Sequence, residues 1–144
     1  MEMSLIEKMN KSKYNLIKWF TVGWTIWFGG FILKDLIFNK IILGFIIMAG
    51  LTGWVLFVIN IFRLKRFVKT VTKSSNLKQA LSDELSLYNR NKSFVTGYYI
   101  LIAMAGVFFA LSVFTDITAL VVSEVILYVG VLSSLISLLI YNRY

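Results

Sequence analysis

Residues 41–62 read IILGFIIMAGLTGWVLFVINIF, an apolar run in which no side chain is charged. A helix rises 1.5 Å per residue, so this run would be about 33 Å long, enough to cross a hydrocarbon core of about 30 Å. Three further long apolar runs lie at about residues 14–33, 94–115 and 117–141, the first with Lys18 near its start and the last with Glu124. The sequence therefore predicts an all-α integral membrane protein, with four transmembrane helices in a single membrane domain over residues 1–144.

The composition supports this class and excludes several chemistries. The residues are 58% hydrophobic and the mean hydropathy is +0.78, more apolar surface than a soluble core of this size can bury. Cysteine and histidine are both absent, so disulfides, thiol catalysis, the commonest metal ligands and the commonest general base are excluded. No phosphate-binding loop or nucleophile–base pair is visible, and we expect a non-enzyme without a cofactor or metal.

The distribution of positive charge predicts the orientation. Short connections, residues 34–40 and 115–118, join the spans into two helical hairpins, while a long loop, residues 63–93, separates the hairpins. Thirteen of the 15 lysines and arginines lie in the N-terminal segment, the long loop or the C-terminal tail. Because cytoplasmic loops collect Lys and Arg, we expect both ends to be cytoplasmic.

The two hairpins resemble one another in sequence. A shift of 74 places lays Tyr14–Trp24 on Tyr88–Tyr98, with matching Tyr, Asn, Lys, Phe and Gly, and a shift of 80 lays Gly50 on Gly130. Both copies would begin on the same side of the membrane, which predicts a parallel repeat about an axis along the membrane normal. A rotation near 180° would then relate the hairpins. Chance similarity between apolar helices is the other explanation.

The long loop contains a helical pattern of its own. Leu64, Phe67, Val68 and Val71 recur at helical spacing, with cations between them, which predicts an amphipathic helix on the membrane surface. Its cations would contact anionic lipid headgroups, and this accounts for much of the net charge of +8 without nucleic acid, for which no motif is present. The cations are Arg63, Lys65, Arg66, Lys69 and Lys73. A second loop helix is predicted from Leu77, Leu81, Leu85 and Tyr88.

An acidic pair precedes a basic, Asn-rich cluster at the start of the third span. Asp83-Glu84-Leu85, Asn89-Arg90-Asn91-Lys92 and Gly97-Tyr98 resemble the pattern of small, uncharacterised bacterial four-span inner-membrane proteins. The resemblance implies this topology in a bacterial inner (cytoplasmic) membrane and no particular activity. A helix start and a lysine snorkelling to the interface explain the same residues. The candidate partner contacts in this segment are Asp83, Glu84, Tyr88, Arg90 and Lys92.

Two polar residues inside the spans are candidate functional groups. Glu124 is the only acid well within a span, about 10 Å along a helix that begins near Ile117, and an ionisable residue there is a functional hypothesis by default. It could equally be hydrated at the interface or pair with Lys34 or Lys40. Asn60 is expected to hydrogen-bond between helices. Close helix packing is expected at Ala49, Gly50, Gly53, Gly106, Ala110, Gly130 and Ser134.

Two functions remain open at this stage. The first is a non-catalytic, membrane-embedded interaction protein: an accessory subunit, regulator or immunity-type protein that contacts another membrane protein or a second copy laterally. The second is a small ion- or proton-coupled transporter, or an oligomeric pore, with Glu124 as the titrating group. Small multidrug transporters also have four spans and an embedded Glu, but theirs lies in the first span, where this chain has no acid.

Overall fold

The computed structural model describes residues 5–34, 37–73, 84–112 and 114–142, and these form four α-helices. The helices are α1 (Leu5–Leu33), α2 (Lys40–Thr72), α3 (Glu84–Ser112) and α4 (Ala119–Tyr141). Each of the four contains a segment long and apolar enough to cross a membrane. The prediction of an all-α protein with four membrane-spanning helices is confirmed at this level.

Three of the helices extend well beyond the predicted spans. α1 begins at Leu5, α2 continues to Thr72 and α3 begins at Glu84, so much of the predicted loop is helical. The chain has no proline, and no glycine lies between Gly53 and Gly97, so nothing in the sequence breaks these helices at the end of the apolar run.

The cationic segment after Phe62 is therefore a continuation of α2 and not a separate helix. α2 has 33 residues, about 50 Å at 1.5 Å per residue, which exceeds the hydrocarbon core by about 20 Å. Whether this extension lies on the membrane surface stays a prediction. Of the second predicted loop helix, Leu77 and Leu81 lie outside the described residues, and Tyr88 belongs to α3.

The short connections set the antiparallel course of each hairpin. Asn39 caps α2: its side-chain oxygen accepts hydrogen bonds from the backbone N–H groups of Ile41 and Ile42, at 3.0 and 3.4 Å. This cap satisfies two donors that a helix start leaves unpaired.

α1 packs against α2, and α3 against α4. At one end of the molecule, the basic end, lie the start of α1, the end of α2, the start of α3 and the end of α4.

The hairpins join in an open row. α1 also packs against α4, which gives the spatial order α2–α1–α4–α3. Within the described parts of the chain, α2 and α3 each pack extensively against only one other helix. A twofold rotation that exchanges the hairpins would convert the α1–α4 contact into an equal α3–α2 contact. The expected relation of 180° is therefore not what the helix contacts show.

Glycines bring the two helices of each hairpin into backbone contact. In the first hairpin, a Cβ added to Gly23 would lie 2.8 Å from the backbone nitrogen of Phe57 and 3.2 Å from the carbonyl oxygen of Gly53. A Cβ on Gly53 would lie 2.5 Å from the backbone nitrogen of Trp27. Neither position has room for any side chain.

The second hairpin repeats this arrangement. A Cβ on Gly97 would overlap the Ser134 side chain and lie 3.2 Å from the carbonyl oxygen of Gly130, and a Cβ on Gly130 would meet Leu101 at 2.9 Å. Gly23 and Trp27 correspond to Gly97 and Leu101 by the predicted shift of 74.

On the second helix of each hairpin, however, the contacts differ from the predicted shift of 80. They match Gly53 with Gly130, a shift of 77, and not Gly50 with Gly130. Gly50 lies instead against Gly30, where an added Cβ would be 3.4 Å from the Gly50 Cα.

An aromatic cluster lies at the centre of the row. Phe57 of α2 contacts the rings of Phe20 and Trp27 of α1, with centroids 4.7 and 5.2 Å apart. Phe28 of α1 stacks on Tyr128 of α4 at 5.9 Å, with an interplanar angle of 8°. These aromatic pairs join three of the four helices and hold the two hairpins together.

Candidate functional site

The α2 extension and the start of α1 together form a basic cavity. A cleft of about 630 Å³ lies between them, and four of its lining residues are cations. Arg63 and Arg66 come from α2, and Lys8 and Lys11 from α1. The other three predicted headgroup contacts, Lys65, Lys69 and Lys73, are exposed and do not line this cleft. We call this cleft, lined by Lys8, Lys11, Ser12, Asn15, Leu16, Trp19, Asn60, Arg63 and Arg66, the basic cavity.

Asn60 lies on α2 about one turn before Arg63, where the cationic segment begins, and it is nearly inaccessible to solvent. Its side chain is 3% exposed, and its Nδ2 donates to the carbonyl oxygen of Leu56 in the same helix at 2.7 Å. The predicted hydrogen bond from Asn60 to another helix is therefore absent among the described residues. The reason is local: the amide bonds back to its own helix one turn earlier. Its Oδ1 is buried and has no hydrogen-bond partner in the described chain.

The sequence pattern contained a signal for the α1 side of the cavity. Lys8, Lys11, Asn15 and Trp19 follow one another at spacings of three or four residues and so lie on one face of α1. That signal was missed because α1 was predicted to begin only at Tyr14. The aromatic cluster was missed as well, although Trp24, Trp27 and Phe28 have the same helical spacing.

The candidate partner contacts at the start of α3 divide into two groups. Lys92 is engaged within its own hairpin, with its Nζ 4.9 Å from the ring centroid of Tyr141 and 5.7 Å from that of Tyr88. Tyr88 is 59% exposed and Arg90 is also exposed. Glu84 is the first residue of α3, and Asp83 lies outside the described residues.

Neighbouring polar groups attach the start of α3 to the other helices. Asn89 donates from Nδ2 to the backbone carbonyl oxygen of Tyr141 in α4 at 2.9 Å. Lys13 of α1 donates from Nζ to the Ser86 hydroxyl oxygen at 2.9 Å. These contacts fix where Tyr88 and Arg90 are presented at the basic end.

Glu124 lies near the start of α4, at the end of the molecule opposite the basic end. It is five residues beyond Ala119, about 7.5 Å along the helix, and its side chain is partly exposed. No residue in the described ranges forms an ion pair with it. The expected pairing with Lys34 is not formed: the Lys34 Nζ lies 3.8 Å from the ring centroid of Phe31 instead. Lys40 is exposed at the start of α2.

The small residues also divide into two groups. Gly53, Gly130 and Ser134 lie at helix contacts, as predicted. Gly106 makes no such contact within the described chain, since a Cβ added there would meet nothing within 4 Å. Ala49 and Ala110 are likewise exposed. Their helix faces point away from the helices of the described chain.

Among the described residues, no group of three His, Cys, Asp or Glu side chains could hold a metal ion. Comparison with protein families, with curated proteins and with solved structures finds no match to this chain. Its class therefore follows from its own residues. Four long apolar helices make it a multi-pass, all-α membrane protein.

Proposed function

We propose that this chain is a non-catalytic, membrane-embedded interaction protein, an accessory subunit, regulator or immunity-type protein that acts by lateral contact within the bilayer. The observation that supports this proposal is the open row of helices. α2 and α3 stand at its two ends, and each packs extensively against a single neighbour among the described residues. Both ends are thus available to helices of another protein or another copy.

The outer face of α3 has the surface chemistry that such contact requires. In lipid, apolar exposure alone does not drive helix association, because lipid tails are as apolar as leucine; close backbone approach does. Ala103, Gly106 and Ala110 are all exposed on α3, at spacings of three and four residues, so they share one face. Phe109, 77% exposed, stands beside this face as a large apolar side chain.

A second copy of the chain is one partner that the arrangement favours. We interpret the matching glycine contacts as evidence for a duplicated hairpin, in which α3 corresponds to α1 and α4 to α2. The α1–α4 contact then joins the first helix of one hairpin to the second helix of the other. Among the described residues, the equivalent face of α3 and that of α2 pack against no further helix extensively, so α3 of one copy can pack on α2 of the next, head to tail.

The proposed location is a bacterial inner membrane with both ends in the cytoplasm. The charge distribution supports the orientation, since Lys34 and Lys40 are the only cations among the described residues at the end opposite the basic end.

Site-directed crosslinking tests the lateral-contact proposal. The chain has no cysteine, so Gly106→Cys on α3 and Met48→Cys on α2 each introduce a single reactive thiol. Met48 is 66% exposed. We expect a thiol-reactive benzophenone, attached to Gly106→Cys or to Met48→Cys and photoactivated in membranes, to give a discrete product of higher mass, because the photoactivated group reacts with any neighbouring chain. Mass spectrometry would then distinguish a second copy from another protein.

Thr21→Cys provides the control, because Thr21 is only 6% exposed. It should give no such product. Monomer alone from both exposed positions, in native membranes and after purification in mild detergent, would contradict the proposal.

The alternative function is a proton- or ion-coupled transporter or an oligomeric pore. One observation favours it: Glu124 lies inside a span without an ion-pair partner in the described residues. An unpaired acid within a span destabilises the protein in the membrane, and such residues usually serve a function.

A further inference from the structure

We propose that the basic cavity is a binding site for the headgroup of an anionic phospholipid that carries free hydroxyl groups, phosphatidylglycerol. This inference does not depend on the proposed lateral partner. It rests on three features of the cavity: its cations, its depth along the helices, and the unpartnered oxygen of Asn60.

The cations make the cavity selective for an anionic phosphate. Lys8, Lys11, Arg63 and Arg66 line it, and none of its lining residues is acidic. Arginine presents paired N–H donors that match two phosphate oxygens, and lysine adds a compact charge. The cations come from two helices, so the site exists only where the start of α1 packs beside the end of α2.

The depth of the cavity matches the headgroup layer. Asn60 lies 20 residues after Lys40, about 30 Å along α2, which is the thickness of the hydrocarbon core. Arg63 and Arg66 follow roughly one and two turns further out. Trp19, also on the cavity wall, is 50% exposed and has the position and chemistry of an interfacial residue.

Asn60 adds a requirement that phosphate alone does not meet. Its Oδ1 accepts no hydrogen bond, although the side chain lines the cavity and is 97% buried. A buried acceptor needs a donor. Phosphodiester oxygens are acceptors, so the donor has to come from elsewhere in the headgroup. A glycerol hydroxyl that folds inward past the phosphate, toward Asn60 about one turn deeper than Arg63, would supply it without adding positive charge, whereas the ammonium group of ethanolamine would be repelled by four cations.

Lipid selectivity of the full-length protein tests this assignment. The protein would be purified in mild detergent, and binding of phosphatidylglycerol, phosphatidylmethanol and phosphatidylethanolamine would be compared by native mass spectrometry. Phosphatidylmethanol has the same charge but no hydroxyl donor. We expect phosphatidylglycerol to bind about tenfold or more tightly than either, as befits hydrogen bonds to buried and charged groups. Equal binding of the two anionic lipids would overturn the role of Asn60 and with it the proposal.

Matched variants separate the cavity from diffuse surface charge. Arg63→Gln/Arg66→Gln and Lys65→Gln/Lys69→Gln remove the same charge from the same helix, but only the first pair lines the cavity. The first variant should abolish the preference for phosphatidylglycerol over phosphatidylethanolamine, and the second should preserve it. Equal losses would mean that surface charge alone attracts the lipid. If the first variant does not fold, Lys8→Gln/Lys11→Gln makes the same test from α1.

Two further measurements address the hydroxyl and the source of the phosphate. Asn60→Leu should keep binding of both anionic lipids and lose the discrimination between them; retained discrimination would overturn the assignment. Glycerol 3-phosphate, a soluble phosphate monoester with free glycerol hydroxyls and no acyl chains, should not displace bound phosphatidylglycerol at millimolar concentration. Displacement, with equal thermal stabilisation by the soluble ester, would identify a site for a soluble phosphate ester and overturn the lipid assignment.

Discussion

Gly97 of α3 lies so close to Ser134 of α4 that a Cβ at position 97 would overlap the serine side chain. The Ser134 hydroxyl donates to the carbonyl oxygen of Gly130 at 3.1 Å, which holds it in that place. We therefore expect Gly97→Ala to lower the free energy of unfolding by about 1–3 kcal/mol, the range for overpacking. Unfolding by titration with a denaturing detergent, followed by circular dichroism, would measure it.

Gly106→Ala is the matched control on the same helix, because an added Cβ there meets nothing within 4 Å. It should be neutral or stabilising by up to about 1 kcal/mol, since alanine favours a helix over glycine. Ser134→Gly should recover much of the loss caused by Gly97→Ala. Equal destabilisation by Gly97→Ala and Gly106→Ala would contradict the close α3–α4 contact.

Gly53→Ala should be more damaging than Gly97→Ala. Its Cβ would lie 2.5 Å from the backbone nitrogen of Trp27, and backbone cannot rotate away as a serine hydroxyl can. We expect a loss of about 3 kcal/mol or more, measured by the same unfolding titration. Gly44→Ala in α2, where the added Cβ has open space, should leave stability unchanged or slightly raised; a loss there as large as for Gly53→Ala would argue against this packing.

The hydrogen bond from Asn89 to the Tyr141 carbonyl predicts a difference between two asparagines. Asn89→Ala should cost about 1 kcal/mol, the usual net contribution of such a bond, and should loosen the end of α4. Asn91→Ala, at an exposed position two residues along, should cost much less. Hydrogen–deuterium exchange at residues 138–142 would report the loosening. Equal exchange in both variants would show that this bond does not hold the end of α4.

Glu124→Gln distinguishes the two candidate functions. It removes the titrating group and nearly preserves the shape of the side chain. If the protein acts by lateral contact, crosslinking at Gly106→Cys or Met48→Cys should be unchanged by this substitution. If it carries protons or ions, flux through proteoliposomes containing the wild-type protein should fall to background in the variant. Flux that needs Glu124 would favour the alternative.

Reporter fusions test the orientation. A fusion after Lys73, at the end of α2, should report the cytoplasm, and one at Phe38, 97% exposed between α1 and α2, should report the exterior. The physical reason is the retention of Lys and Arg on the cytoplasmic side. An exterior signal from Lys73 would reverse the topology and place the basic cavity in the outer leaflet.

The helix limits show where sequence reasoning was sufficient and where it was not. The apolar run at residues 41–62 identified a span, because hydrophobicity and length can be counted directly in the sequence. It did not show that α2 continues to Thr72, since the end of an apolar run is not the end of a helix. Where a helix stops depends on breakers and caps, and this segment has neither proline nor glycine.

The packing partners were less predictable. Gly53 and Gly130 were expected at close helix contacts and lie at such contacts. Gly106 was also expected at one, but it contacts no other helix of the described chain. In water, an apolar stripe marks the buried face of a helix, but in lipid all faces of a spanning helix are apolar. The sequence therefore carries little information on which face meets a neighbour.

The sequence by itself determined the class of protein, its four spans and the accumulation of cations at one end, because each depends on composition along a single segment. Tertiary structure alone decided the order α2–α1–α4–α3, the stacking of Phe28 on Tyr128, and the meeting of Lys11 with Arg63 around one cavity. Those features depend on how far each helix is rotated about its axis and against which neighbour it lies. The shape complementarity between helices determines both the rotation and the neighbour of each helix. The hydropathy and charge of the sequence do not reveal differences in shape as small as one methyl group.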